Sequence, residues 1–377
     1  MNQLKVVFCT DGVFPHQIGG MQRHSRLLVE ELAKEDIDIH VIHPHKDTQV
    51  YDSALGITEH YVEGISTEKN YLKESKRYSK RVHKVVAALP KDTIVYNQGF
   101  AIWANAADFS DRLITNPHGL EPFQAMSKKD KLIAIPFKRV FSTIFTKSLY
   151  TVSLGGHLTR ILRQIVPKER IVNLPNAVAL PDDSELKPKP DLNEPIKLFF
   201  VARFASNKGI HILMQAIKEL NAIGYADKLE FNLGGKGPLY EQYKEECKEP
   251  NVNLLGFVSD EDLKRLYAES DVFVFPTLFE GMPTVVLEAM SNYLPIIVSD
   301  TGATKELVHS DNGYVIEPGD VEGLKDAIVS YYQLSAEDKN RMSQTSYDRF
   351  SGKFTWGRVA EKHMELFREI QSKMKQA

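Results

Sequence analysis

Short apolar runs alternate along the chain with longer segments whose apolar residues recur at helical spacing. In the first half, strands are predicted over 5–10, 37–43, 93–97, 112–116 and 149–154, and helices over 22–34 and 77–88. Strand and helix in alternation are typical of a parallel sheet whose strands are joined by crossover helices. The pattern therefore predicts an α/β fold for this half of the chain.

A second series of the same kind begins at Ile196. Its strands are predicted over 196–202, 229–233, 252–255, 272–275 and 296–299. The two series are separated by a stretch rich in proline and charge, which is typical of a linker between domains. We therefore predict domains over 1–180 and 196–355, a linker over 181–195 and a C-terminal helical segment over 356–377.

Length and charge narrow the choice of function. A chain of 377 residues exceeds what one hydrophobic core usually serves, and its net charge of -3 differs from the basic balance of nucleic-acid-binding domains.

Cys9 and Cys247 are far apart and form no metal-ligand spacing, so a reducing cytoplasm without a structural disulfide is expected. The N-terminal apolar run is typical of a strand rather than a signal peptide, and no run approaches the about 20 apolar residues of a spanning helix. A soluble or peripheral protein that binds small ligands is therefore expected.

The segment 272–292 combines a buried strand, a loop and a helix. The run Val272–Phe275 is apolar and rich in β-formers, Gly281 and Pro283 interrupt it, and a helix is predicted from Thr284. Such a helix directs its N-terminal amides to the carboxyl edge of a parallel sheet, where a diphosphate is bound favourably. Two carboxylates, Glu280 and Glu288, are at most about 12 Å apart if the segment is helical, which suits two ends of an extended ligand better than a shared proton.

Two further loops of the second half follow predicted strands. Arg203 and Lys208 come after the strand at 196–202, where a pair of cations can neutralise a diphosphate without a metal. Gly235 and Gly237 come after the strand at 229–233 and allow close approach of the backbone to a ligand. In the first half, Gly19-Gly20-Met21 lies between the first strand and the first helix, and His118 follows the strand at 112–116.

Together these segments resemble the family 4 retaining glycosyltransferases, and the resemblance spans nearly the whole chain. It implies the GT-B fold, with two Rossmann-like domains whose parallel sheets face each other across a cleft and a C-terminal helix that crosses back to the first domain. It also implies transfer of a sugar from a nucleotide diphosphate donor, with UDP and GDP as first candidates, and retention of the anomeric configuration. No metal or other cofactor is expected, because the family pattern stabilises the diphosphate with protein groups.

The resemblance also implies roles for individual residues of this sequence. Catalytic roles are implied for His118, Arg203, Lys208 and Glu280. Donor binding is implied for Gly19, Gly20, Gly235, Gly237, Phe257, Val258, Gly281, Met282, Pro283, Thr284 and Glu288, with Glu288 on the ribose. Acceptor binding is implied for Gly20, Met21 and His118. Ala202 stands where the family usually has a glycine and Asn207 where it often has a glutamate, so the loop departs from the family pattern at these two positions.

Two basic stretches, 69–84 and 126–141, mix lysine and arginine with apolar and aromatic residues. Such mixtures can bind an anionic lipid surface on the inner face of a membrane, which would suit a lipid-linked acceptor. A solvated helix face is the simpler interpretation, and the sequence leaves both open.

Two other functions fit the same fold. A non-hydrolysing nucleotide-sugar epimerase would need acid and base groups on either side of the sugar, whereas the predicted site supplies charge stabilisation and contacts to hydroxyls. A non-catalytic scaffold would be expected to lack Lys208 or Glu288, and both are present. The acceptor that the resemblance implies is a glycan, a lipid-linked molecule or a small molecule.

Overall fold

The computed structural model describes residues 3–66, 70–124, 128–181 and 194–376. The predicted linker lies almost entirely outside these ranges, as do the first residues of both basic stretches. The chain folds into two compact units. Unit 1 comprises Met1–Asn176 and Trp356–Ala377, and unit 2 comprises Ala177–Thr355.

Unit 1 contains a seven-stranded parallel sheet with the strand order β3-β2-β1-β4-β5-β6-β7. Its inner strands are buried on both faces, as expected when crossover helices cover a parallel sheet. The strands are β1 Leu4–Cys9, β2 Ile37–His43, β3 Thr58–Tyr61, β4 Ile94–Gln98, β5 Leu113–Asn116, β6 Tyr150–Ser153 and β7 Ile171–Asn173. The helices within its first segment are α1 Gly20–Leu32, α2 Tyr71–Ala88, α3 Lys128–Lys147 and α4 Gly156–Leu162.

Unit 2 contains a six-stranded parallel sheet with the strand order β10-β9-β8-β11-β12-β13. The strands are β8 Ile196–Val201, β9 Leu229–Gly234, β10 Val252–Gly256, β11 Val272–Phe275, β12 Ile296–Ser299 and β13 Gly313–Ile316. The helices are α5 Ile210–Ala222, α6 Tyr240–Glu246, α7 Asp260–Glu269, α8 Thr284–Ser291, α9 Thr304–Leu307, α10 Val321–Gln333 and α11 Ala336–Lys353. The strand order reverses between β8 and β11. Open α/β sheets bind ligands at the carboxyl ends of the strands beside such a reversal.

The C-terminal helix α12, Trp356–Gln376, belongs to unit 1. Its Phe367 ring packs edge-on against Phe8 of β1 and Tyr96 of β4, with ring centroids 6.4 and 6.1 Å apart. Unit 2 begins earlier than the predicted boundary at 180, because Val178 donates its N–H to the Phe354 carbonyl at 3.1 Å. That bond ties the start of unit 2 to its last residues.

The predicted α/β class with two Rossmann-like parallel sheets is confirmed. The predicted strands are present, with ends that differ by a residue or so. The helix predicted over 77–88 begins earlier, at Tyr71, because the Asn70 side chain accepts the Lys73 N–H at 3.1 Å and caps it. Three short strands, β3, β7 and β13, were not predicted.

Candidate active site

At the carboxyl edge of the unit 2 sheet, the loop after β8 is bonded to the end of β11. The Asn207 carbonyl accepts the Leu278 N–H at 2.9 Å and the Thr277 hydroxyl at 3.0 Å. Gly209 has a φ of +73°, and a Cβ there would lie 1.8 Å from the Pro276 carbonyl oxygen. Only glycine therefore allows these two loops to come so close.

This close approach brings Lys208 and Glu280 together. Lys208 Nζ lies 2.5 Å from Glu280 Oε1, and the two side chains are 25% and 12% exposed. Burial raises the pKa of the Glu280 carboxyl, while Lys208 and the Thr277 hydroxyl, 3.3 Å from Oε1, oppose that shift. An ammonium group and a carboxylate are thus held at the edge of the sheet, one able to bind a phosphate oxygen and the other a sugar hydroxyl.

The loop that carries Glu280 leads into α8 in a fixed conformation. Gly302 has a φ of +51°, and a Cβ there would lie 2.1 Å from the Gly281 carbonyl oxygen. The same carbonyl accepts the Ala303 N–H at 2.8 Å. Met282 and Pro283 are buried, and α8 begins at Thr284. The N–H groups at the start of α8 are therefore placed immediately after Glu280 in the chain.

Glu288 lies on α8 and bonds to a different partner from Glu280. The Tyr267 hydroxyl lies 3.1 Å from Glu288 Oε2 and 3.2 Å from the Val285 carbonyl oxygen. Burial, reinforced by the nearby Glu288 carboxylate, raises the pKa of Tyr267 well above its usual range. The Tyr267 side chain therefore stays a neutral donor that orients Glu288. Sequence reasoning missed Tyr267, because nothing in its spacing from Glu288 predicts the contact between α7 and α8.

The glycine loop after β9 packs closely on the loop after β8. A Cβ at Gly235 would lie 1.8 Å from the Ala202 carbonyl oxygen, and one at Gly237 would lie 2.5 Å from the Phe204 carbonyl oxygen. These glycines therefore serve close packing of two backbones, in addition to any contact with a ligand. Arg203 is exposed, and its guanidinium makes no ion pair with a described residue.

The loop after β10 presents an aromatic ring to solvent. Phe257 is 76% exposed, whereas Val258 is only partly exposed. An exposed aromatic face beside the glycine loops is available for stacking on a planar ligand group.

In unit 1, Gly20 begins α1 and is exposed, with open space where a Cβ would project. Gly19 precedes the helix in an extended conformation that other residues also adopt. The Met21 side chain lies over Gly99, where a Cβ would come 3.3 Å from its Sδ. The start of α1 therefore offers backbone N–H groups beside an uncovered surface.

His118 is held at the end of β5 in a left-handed conformation with a φ of +57°. Its N–H donates to Asn116 Oδ1 at 2.9 Å, and its Nε2 lies 2.8 Å from Gln98 Oε1. Because a carbonyl oxygen only accepts, Nε2 carries the proton and Nδ1 is left as an acceptor. Burial, with a smaller contribution from His363, lowers the pKa of His118 to about 3. The ring is therefore neutral at physiological pH.

A buried chain of hydrogen bonds supports His118 from behind. Asn116 Nδ2 donates to the Tyr96 hydroxyl at 3.2 Å, and that hydroxyl lies 3.1 Å from His363 Nε2. His363 Nδ1 donates to the Val359 carbonyl at 2.7 Å, so Nε2 accepts from Tyr96. Sequence reasoning missed this network, since His363 lies on α12, far along the chain from β4 and β5.

Within the described ranges, no three His, Cys, Asp or Glu side chains are grouped so that they could hold a metal ion. In the same part of the chain, no helix is both long enough and apolar enough to cross a membrane.

Comparison with known proteins identifies the class. The family model described as Glycosyltransferase Family 4 matches residues 18–180, and the model described as Glycosyl transferases group 1 matches residues 195–333. A sucrose-phosphate synthase from Thermosynechococcus elongatus superposes with a TM-score of 0.78 at 17% identity, covering 98% of this chain and 100% of that one. Anabaena HepE in complex with UDP and glucose superposes with a TM-score of 0.66 at 15% identity, covering 97% and 99%. These structures share the GT-B fold.

Curated relatives agree with the family models. The Erwinia amylovora amylovoran biosynthesis glycosyltransferase AmsK is 30% identical over 186 residues, covering 45% of this chain and 44% of that protein. The Streptococcus pneumoniae alpha-galactosylglucosyldiacylglycerol synthase is 26% identical over 272 residues, covering 64% and 71%. The chain spans about half the length of several relatives that it matches. It belongs to the GT-B glycosyltransferases of family 4 and group 1.

Proposed function

We propose that this protein transfers a sugar from a UDP- or GDP-linked donor to a glycan, lipid-linked or small-molecule acceptor, with retention of the anomeric configuration. The observation that carries the proposal is the Lys208–Glu280 ion pair at the carboxyl edge of the unit 2 sheet, immediately before the start of α8. Diphosphates bind at such edges, where helix N-termini and cations meet.

In this proposal the protein stabilises charge as the bond between the anomeric carbon and the diphosphate oxygen breaks. Lys208, Arg203 and the amides of α8 stabilise the leaving diphosphate, while Glu280 contacts a hydroxyl of the sugar. In unit 1, the proposed catalytic group is His118. The acceptor oxygen bonds to the anomeric carbon on the same face, and its proton passes to a leaving phosphate oxygen. His118 is neutral, so it acts as a hydrogen-bonding group rather than a cation.

The donor-binding residues follow from the same arrangement. We propose that Glu288 binds the ribose hydroxyls, that Gly235, Gly237 and Phe257 border the nucleotide, and that Gly19 and Gly20 bind phosphate and acceptor groups. HepE, which was solved with UDP and glucose, supports a nucleotide-sugar donor. The names of the relatives support an acceptor in polysaccharide or glycolipid synthesis.

Thermal unfolding with UDP, GDP and ADP, and with their sugar conjugates, tests the donor site. A ligand present at a hundredfold its dissociation constant stabilises the folded state by about 2.7 kcal/mol, enough for a readable shift in Tm. We expect one nucleotide family to raise Tm, and Glu288→Ala to abolish the shift. The matched control is Glu245→Ala, an exposed glutamate on α6. If no nucleotide shifts Tm, the non-catalytic scaffold becomes the better hypothesis.

Retention is tested on the product. NMR of the anomeric proton should show the same configuration in the new glycosidic bond as in the donor, and an inverted product would refute this part of the proposal. Epimerised donor that accumulates without any acceptor would instead favour the epimerase.

We also propose that α3 binds an anionic lipid surface. Its first turns expose Leu132, Ile133 and Ile135 at 70%, 55% and 42%, beside exposed lysines at 128, 129 and 131. Exposed aliphatic groups with flanking cations are typical of interfacial helices. The apolar face of α2, in contrast, is buried, so the other basic stretch fits a solvated helix face.

Sedimentation with phosphatidylglycerol-containing and with pure phosphatidylcholine vesicles tests the lipid contact. We expect binding only to the anionic vesicles, and its loss in Leu132→Ser/Ile133→Ser. Ile223→Ser, at a 63% exposed position in unit 2, is the matched control. Equal binding by the wild type and the double variant would refute the role of α3.

A further inference from the structure

Unit 2 contains a cavity of about 540 Å³ between α7 and the face of its sheet, and the cavity extends towards the amino ends of the strands, away from the candidate active site. Lys197, Glu230 and Asn253 line it, and each is the second residue of its strand, β8, β9 or β10. The volume falls within the range of about 300–1,000 Å³ that is typical of small-molecule sites. The remaining lining residues are Asn232, Val252, Leu254, Leu255, Arg265, Leu266, Glu269 and Ser270.

The cavity exists because α7 covers only part of this face of the sheet. Tyr267 of α7 packs edge-on against Phe199 of β8, with ring centroids 5.1 Å apart. On the neighbouring strands the same face carries polar side chains in two cross-strand rows, Lys197 beside Glu230 and Asn232 beside Asn253. These polar groups lie towards the β10 edge of the sheet, where β10 is only partly buried and the face is open to a ligand.

The polar groups in the cavity keep hydrogen-bonding capacity for a ligand. Glu230 Oε1 accepts from Asn232 Nδ2 at 2.9 Å and from Asn253 Nδ2 at 3.3 Å, so the amides are oriented. The second oxygen of Glu230 and the amide oxygen of Asn253 have no hydrogen-bond partner in the part of the chain that the structure describes. Lys197 and Glu230, although direct neighbours, form no ion pair within 4 Å among these residues. The space between them is therefore open to a group that donates to the carboxylate and accepts from the ammonium.

The balance of charge identifies the class of ligand. Arg265 is already paired with Glu269 at 3.2 Å and with Asp262 at 3.1 Å. The other charges of the lining are one cation, Lys197, and one carboxylate, Glu230, so neither a phosphate nor a polycation is favoured. Side chains that are oriented and present both donors and acceptors, beside the apolar Leu255, match a neutral ligand with many hydroxyls. We propose that this groove binds one or two neutral sugar units of a carbohydrate, separately from the donor site. The proposal goes beyond the transferase function and does not depend on it.

Titration with maltose, cellobiose, lactose and N,N′-diacetylchitobiose, followed by NMR of the ¹⁵N-labelled full chain, tests this groove. We expect at least one disaccharide to shift the side-chain amide signals of Asn232 and Asn253, with UDP present or absent. Asn253→Ala changes an exposed side chain and should raise the dissociation constant of the disaccharide about tenfold or more. Lys264→Ala, an exposed position on α7 outside the lining, is the matched control.

The absence of shifts with every disaccharide would overturn the proposal. So would stronger shifts with inorganic phosphate than with any sugar, or shifts that persist unchanged in Asn253→Ala. Competition by UDP would assign the sugar signals to the donor site and would also refute a separate groove. Glu288→Ala removes the proposed nucleotide contact and the hydrogen bond from Tyr267, but no residue that lines the groove. Disaccharide shifts that survive in this variant therefore distinguish the groove from the transferase proposal.

Discussion

Replacing Lys208 with methionine should leave Glu280 as a largely buried carboxylate without its cation. The two side chains are only 25% and 12% exposed, and their charged atoms are 2.5 Å apart. Methionine keeps the unbranched shape of lysine but cannot donate a hydrogen bond. The Thr277 hydroxyl, at 3.3 Å, would remain as a polar neighbour of the carboxylate. Loss of a charged hydrogen-bond partner at such a site costs about 1–3 kcal/mol of unfolding free energy.

The loss of unfolding free energy in Lys208→Met depends on pH through the Glu280 carboxyl. Burial already raises the pKa of Glu280, and removing the ammonium raises it further. A group whose folded pKa exceeds its unfolded value stabilises the protein fully below the unfolded pKa, and this stability is lost as pH rises to the folded pKa. Each added pKa unit amounts to about 1.4 kcal/mol. In Lys208→Met the unfolding free energy should therefore fall more steeply than in the wild type as pH rises above the ordinary range of a glutamate.

Urea unfolding across this pH range, in a double-mutant cycle with Glu280→Gln, measures the effect. The variant Lys208→Met/Glu280→Gln has no unpaired carboxylate, so it should lack the steep pH dependence and recover about 2 kcal/mol relative to Lys208→Met. Lys34→Met is the matched control: its ammonium also lies 2.5 Å from a carboxylate, that of Glu31, but its side chain is 64% exposed. That change should stay within about 0.5 kcal/mol. A coupling free energy between Lys208 and Glu280 of less than about 0.5 kcal/mol would refute the reasoning.

Three further predictions concern the same two units. Gly209→Ala should destabilise unit 2 by about 2 kcal/mol or more in urea unfolding, because of both its φ and a clash with a backbone carbonyl. Gly224→Ala shares the positive φ but meets open space, so it should cost only about 1 kcal/mol, and equal effects would contradict the clash. Burial lowers the pKa of His363 to about 4 in the folded protein, below the ordinary histidine value of 6.5. Between these two pH values the unfolded chain binds more protons than the folded one, so the free energy of unfolding falls as pH drops from 6.5 towards 4. In His363→Gln the fall in unfolding free energy between about pH 7 and pH 5 should be smaller by about 2 kcal/mol. If unfolding free energy depends on pH as steeply in this variant as in the wild type, the prediction is refuted. Tyr267→Phe should lower the unfolding free energy by about 1 kcal/mol, because a hydrogen bond to Glu288 is lost. If Glu288 binds nucleotide, the variant should also show a smaller nucleotide-induced rise in Tm. A rise equal to that of the wild type would show that the Tyr267 hydroxyl does not orient Glu288.

The sequence predicted the inner strands of both sheets because these strands are short apolar runs with helical segments between them. Val272–Phe275 and Ile296–Ser299 have the predicted ends. The strands that were missed, β3 at Thr58–Tyr61 among them, lie at sheet edges or near them and carry polar or partly exposed residues. Hydrophobic periodicity is weak in such strands, since only pairing with a neighbour stabilises them.

Residue patterns along the chain were enough to predict the class of this protein and the residue types at its candidate site. Loop segments after successive parallel strands must meet at one edge of the sheet, so Lys208 and Glu280 could be assigned to the same edge from their positions in the chain. The folded structure was needed to show that these two form an ion pair, that Tyr267 contacts Glu288, and that a hydrogen-bond network runs from His363 to Asn116 beside His118. These contacts join segments far apart in the chain, and their geometry depends on how the helices pack on each sheet, which no local pattern of residues records.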